Sequence, residues 1–236
     1  MKNFLAALLF FPWTGFAQTS TADPKAAAVG DSVIMAMGGK QNWENVHFLT
    51  WNFFGRRTLW WDKWTGDVRI EIPAKNLVIL TNINSHQGHV YRNKLELLQP
   101  DSITYFMDRG YKIWANDSYW LIMPFKLKDP GVNLSYKGIM NDSLGNSCDL
   151  IELTFNKVGV TPENKYHIYV NRKNYQVTWW DYFAKSTDDQ PSASNPWKNY
   201  QPYGNILLSD DRGESEGKIT AIAVSDQVPA HFFDRL

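Results

Sequence analysis

Between residues 46 and 83 one pattern recurs four times. Segments 46–54, 57–64, 67–72 and 76–83 are short and rich in β-branched and aromatic residues, and each ends in turn residues. The turns are Gly55-Arg56, Thr65-Gly66 and the Pro73–Asn76 run. In the third segment Val68, Ile70 and Ile72 alternate with Asp67, Arg69 and Glu71, which is a strand with one apolar and one polar face. Hairpins in series make antiparallel sheet. A further strand is expected near 87–92, and a second run at 131–139, 147–156, 165–171, 175–183, 205–210 and 218–225, with Asn171–Asn174 as a hairpin turn.

The remaining segments read differently. Pro24 opens a helical pattern that Gly38-Gly39 stops, giving a helix over about 24–37. Pro100-Asp101-Ser102 starts a second helix with Ile103, Phe106, Met107, Tyr111 and Trp114 at helical spacing, although Gly110 weakens it. The run Trp120–Phe125 reads as a buried strand that Pro124 ends. Residues 185–199, with Ser, Asp, Pro and Asn, read as a polar loop. No linker or repeat divides the chain, so 18–236 is expected to form a single domain. The predicted fold class is mainly β (α+β): a large antiparallel sheet that curls as it widens, with a few helices covering its concave face.

The N-terminus predicts export. Lys2 precedes the apolar run Phe4–Phe11, and Gly15-Phe16-Ala17 supplies small residues for cleavage, so residues 1–17 are expected to be a signal peptide and Gln18 the mature start. The run is shorter than the roughly 20 residues of a membrane span, so no integral membrane span is expected. The expected location is the periplasm or the medium of a Gram-negative bacterium. Cys148 is the sole cysteine, so no internal disulfide forms, and its apolar neighbours suit a buried thiol.

The charges balance at 24 basic and 24 acidic residues, which leaves no field to steer the chain to nucleic acid. His86-Gln87-Gly88-His89 is the one close histidine pair, and no third ligand accompanies it, so no metal is expected. Carboxylates cluster at Asp62, Asp67 and Glu71, and again at Asp210-Asp211; Asp67 and Glu71 share with Arg69 the strand face opposite Val68, Ile70 and Ile72, which reads as solvated rather than catalytic. Nucleotide loops and nucleophile elbows are absent from the sequence. No catalytic residue and no cofactor is assigned. The outlying feature is aromatic: 11 Trp, 11 Tyr and 13 Phe. Such rings either fill a large core or line a ligand groove.

Three phrases, Trp61–Arg69, Trp120–Leu127 and Trp179–Phe183, resemble a group of secreted bacterial proteins associated with the lipoprotein-carrier (LolA/LolB-type) fold. The order of helix, long sheet, central helical stretch and further sheet is similar too. The resemblance implies a half-open barrel whose apolar interior holds a lipid or the acyl chains of an acylated protein. This chain departs from that pattern in its wealth of Trp and in lacking a lipid-anchor cysteine. On this reading a monomeric carrier binds its ligand through Trp51, Phe53, Trp60, Trp64, Leu80, Trp114, Trp120, Met123 and Trp179. An envelope enzyme acting on a lipid or glycan, and an interaction protein without a small ligand, remain the alternatives.

Overall fold

The computed structural model describes residues 23–236; the expected signal peptide lies outside the described residues. Helix α1 (Pro24–Ala36) is capped by Asp23, whose Oδ1 accepts the Ala26 amide at 2.7 Å. A short helix α2 (Lys40–Asn45) follows Gly38 and Gly39, both at positive φ. Four strands then form consecutive hairpins: β1 (Phe48–Phe53), β2 (Arg57–Asp62), β3 (Asp67–Ile72) and β4 (Leu77–Asn82). Strands β5 (Gly88–Arg92) and β6 (Leu95–Glu96) complete one edge. The long helix α3 (Pro100–Lys126) precedes β7 (Val132–Asn141), β8 (Ser147–Phe155), β9 (Lys165–Asn171) and β10 (Val177–Phe183). The chain ends with β11 (Ala193–Pro196), β12 (Lys198–Tyr203), β13 (Ile206–Asp211), the single turn α4 (Gly213–Glu216) and β14 (Thr220–Ser225).

All strand pairs are antiparallel. A seven-stranded sheet has the order β14-β1-β2-β3-β4-β5-β6, a five-stranded sheet the order β11-β10-β9-β8-β7, and β12-β13 form a separate hairpin. The hairpin links the two sheets. Trp197, just before β12, donates its amide to Thr178 O of β10 at 2.8 Å, and Ile219, just before β14, donates to Asp210 O of β13 at 2.8 Å. Strand at 41% exceeds helix at 25%, and the seven-stranded sheet curves without closing into a barrel, which is the expected mainly β class.

Two expectations are corrected. Trp120–Phe125 is not a strand; it is the last part of α3. An apolar run of this length does not distinguish a buried strand from a buried helix. Proline at 124 has no N–H to give the Trp120 carbonyl four residues back, a loss that normally breaks a helix. Here the Arg212 guanidinium takes that carbonyl through Nη2, so the helix runs on through the proline. Residues 185–199 are also not all loop: β11 and the start of β12 lie there. Asn195 and Trp197 are buried, and Pro196 is tolerated because β11 is the edge strand of its sheet.

Helix α3 lies on the concave face, against β4 and β5 on one side and α1 and β13 on the other. Gly110, unfavourable for helix on its own, is what lets it approach. A Cβ there would stand 3.0 Å from Thr81 Cγ2 and 3.1 Å from Ile79 Cγ2.

Candidate functional site on the concave face

Strand register sorts the early aromatics. Trp51, Leu59, Ile70, Ile79 and Val90 face one another across β1 to β5, and Leu49, Trp61, Val68 and Thr81 form the next row. Both rows belong to the buried interior. The intervening row, Thr50, Trp60, Arg69, Leu80 and His89, has the opposite parity and therefore faces outward.

The interior rings form connected contacts under α3. Trp114 meets Trp61 at 5.2 Å and Tyr111 at 5.8 Å between ring centres. Trp120 meets Phe53 at 6.5 Å, Phe54 at 5.6 Å and Trp180 at 4.8 Å. Trp180 continues to Tyr166 at 5.2 Å and Trp197 at 5.4 Å. Trp43 of α2 stacks on Phe125 at 4.7 Å. Thus the second half of α3 carries rings that bridge the two sheets. Burial pushes the Tyr166 phenol up to about 12.

Two buried charges tie α3 down. Asp117, fully buried, receives Arg57 Nε and Nη2 of β2 at 2.6 Å each, and Asn116 Nδ2 at 2.9 Å. Burial raises its carboxyl above the usual range even though Arg57 pulls it down. Arg212, also fully buried, bonds only to uncharged oxygens: Ser209 Oγ at 2.8 Å, Ser209 O at 3.1 Å, Asp211 O at 3.2 Å and Trp120 O. Its guanidinium lies 3.7 Å from the Trp197 ring centre, and burial lowers it to about 9.

Several interior donors have no acceptor. The indole nitrogens of Trp51, Trp61, Trp114, Trp180 and Trp197, the Thr81 hydroxyl and Arg212 Nε are buried without a hydrogen-bond partner among the described residues. Each such group costs about 1–3 kcal/mol when left unmet.

The nine residues proposed from sequence therefore divide. Trp51, Phe53, Trp114, Trp120 and Met123 come together in the interior. Trp60, Trp64, Leu80 and Trp179 do not join them. Trp60 faces outward, 5.5 Å from Phe232 in the C-terminal segment. Arg69 beside it packs on the same Phe232 ring at 4.7 Å. Leu80 lies in that outward row and is buried apart from the interior cluster. Trp64 sits in the β2–β3 turn, 63% exposed, stacked on His47 at 3.8 Å. Trp179, opposite in parity to Trp180, donates its indole N–H to Asp181 Oδ1 at 3.0 Å.

Sequence reading missed Arg57, Asp117, Trp180, Trp197 and Arg212 as parts of this interior. Trp180 had a usable signal, since it alternates with Trp179. Arg57 and Arg212 had none, because nothing local marks a charge that a distant helix covers. Among the other residues weighed, His89 Nδ1 contacts Glu96 at 2.6 Å and His86 lies against Tyr111, so the two histidines face different partners. The Cys148 thiol is buried, and burial raises it. Glu71 takes Arg69 at 2.8 Å, and Asp62 accepts the amides of Trp64 and Thr65. No described helix is long and apolar enough to cross a membrane.

No protein-family model matches the chain, and no curated protein matches it. Solved structures similar to it include a DUF1329 family protein from Desulfovibrio piger, at 13% identity and TM-score 0.46, covering 89% of this chain and 97% of that one. A LolA superfamily protein from Nitrosomonas europaea is similar at 10% identity and TM-score 0.43, with the same coverage of 89% and 97%.

Proposed function

We propose that this protein is a periplasmic carrier that takes a lipid, or an acyl chain of an acylated protein, onto its concave face beneath α3. The observation that carries the reading is the set of buried donors without acceptors in a ring-lined interior. A core selected only for stability would place Leu or Phe at those positions, because an unmet buried donor is costly. An amphiphile entering among these rings supplies both missing components: methylenes for the ring faces and oxygens for the N–H groups. Trp51, Phe53, Trp114, Trp120 and Met123 are then the contact residues, joined by Trp61 and Trp180. Each buried methylene contributes about 0.8 kcal/mol, and micromolar binding needs about 8 kcal/mol net, so a chain of roughly a dozen carbons is the natural scale.

The test is titration with a fluorescent long-chain fatty acid, done on the wild type, Trp120→Ala and Trp64→Ala. Saturable binding is expected, weakened at least about tenfold by loss of the Trp120 ring area and unchanged by loss of the exposed Trp64. Absence of saturable binding to fatty acids, phospholipids and acylated peptides would reject the carrier reading. Equal weakening by both variants would reject the concave face as the site.

A further inference from the structure

Arg212 is a fully buried cation, and no carboxylate pairs with it among the described residues. The acids whose field reaches it, Asp210 and Asp211, form no ion pair with it and bond to other groups. Asp210 Oδ1 takes Asn199 Nδ2 at 2.8 Å, and Asp211 Oδ1 takes the Gly213 amide at 2.8 Å, with its Oδ2 3.8 Å from Lys218 Nζ. Four uncharged oxygen contacts and the Trp197 ring hold the guanidinium, yet Nε remains unmet. A buried cation is normally paired, because the desolvation cost is otherwise left uncompensated.

The neighbouring groups define a path. Arg212 touches Trp197 at 3.7 Å, Trp197 meets Trp180 at 5.4 Å, Trp180 meets Trp120 at 4.8 Å, and Trp120 meets Phe53 at 6.5 Å. The indole nitrogens of Trp197 and Trp180 are unmet like Arg212 Nε, so three unused donors cluster at one end of a trail of rings. One end offers an unpaired charge and unmet N–H groups; at the other, Arg57 lies 4.9 Å from the Phe53 ring centre but is already paired with Asp117.

We propose that Arg212 anchors an anionic headgroup, so that the preferred ligand is a single-chain amphiphile whose acidic head lies by Arg212 and whose tail runs over Trp180, Trp120 and Phe53. This rests on the reading that ligands bind beneath α3. It adds a headgroup requirement that an acyl-only groove would not have. The shared chemistry is an oxyanion on a chain, and carboxylate and phosphate monoester both provide it.

The experiment compares dodecanoate, dodecyl phosphate and dodecanol on the wild type by isothermal titration. A charge-assisted bond in a dry site predicts that at least one anion binds about 10- to 100-fold more tightly than the alcohol, and the stronger of the two anions identifies the head. Arg212→Met should abolish the preference for anions, whereas Arg69→Gln on the outward face should keep it. If the alcohol binds as tightly as both anions, or Arg212→Met keeps the preference for anions, the headgroup proposal is overturned while the carrier reading stands. If none of the three binds, the carrier reading fails and this proposal fails with it.

Discussion

The pair that joins α3 to β2 makes an asymmetric prediction. Asp117 has no exposed side-chain surface, whereas the Arg57 side chain keeps 22% of its own. Removing Arg57 therefore strands a dry carboxylate whose remaining side-chain donor is Asn116. Removing the charge of Asp117 leaves a guanidinium that can still reach water. Arg57→Met is expected to cost about 3–5 kcal/mol at neutral pH, the range for an uncompensated buried charge. Asp117→Asn keeps the shape and should cost about 1–2 kcal/mol. The pH dependence has a definite sign. Burial raises the folded carboxyl above its unfolded value, so the folded state holds the proton more tightly. Stability from this group is complete below the unfolded carboxylate range near pH 4 and is lost as pH rises through the raised value. Without Arg57 the folded value rises further, so the loss in Arg57→Met should be larger and extend to higher pH. Urea unfolding followed by Trp fluorescence at pH 5 and pH 8 measures both effects. An Asp117→Asn cost equal to or above that of Arg57→Met, or a pH-independent penalty in Arg57→Met, would refute this account of the pair.

Further outcomes follow from single contacts. Gly110→Ala gains up to about 1 kcal/mol of helix propensity. Its Cβ nevertheless meets the stiff, β-branched Thr81 and Ile79 at 3.0 and 3.1 Å, so thermal unfolding should show a net loss within the roughly 1–3 kcal/mol range of overpacking. Arg212→Met should be milder in a Pro124→Ala background, because an alanine there supplies the N–H that the Trp120 carbonyl otherwise lacks; a denaturation double-mutant cycle should give a coupling of about 1 kcal/mol, and additivity would contradict the proposed repair of the helix. N-terminal sequencing of protein from the envelope fraction should begin at Gln18, and a chain still starting at Met1 would overturn the export reading.

Much of the fold was legible because hairpin turns and period-two segments are local signals. Gly55, Gly66 and Asn76 sit at positive φ where turns were expected, and Val68, Ile70 and Ile72 face inward as their alternation implies. The failures are non-local. Trp120–Phe125 is helical because an arginine 88 residues beyond Pro124 takes the carbonyl that the proline leaves free, and Pro196 enters a strand because that strand lies at an edge. The interior was half legible. Alternation separates Trp60 from Trp61, but it does not say which face α3 will cover, so Trp60 and Leu80 of the outward row were named while Trp61 and Trp180 of the interior were passed over. Arg57, Asp117 and Arg212 are widely separated along the chain and acquire their roles when the sheets close on α3.

The central claim is that ligand enters beneath α3, and a reversible lock tests it most directly. A Cβ at residue 110 stands 3.6 Å from Thr81 Cβ, within the roughly 3.5–4.5 Å range of disulfides. Thr81→Cys with Gly110→Cys should therefore staple the helix to β4, while the native Cys148 stays buried. Fatty-acid titration of the oxidised and reduced forms of this one protein gives the answer. The account predicts that oxidation abolishes saturable binding and reduction restores it; equal affinity in both forms would contradict it.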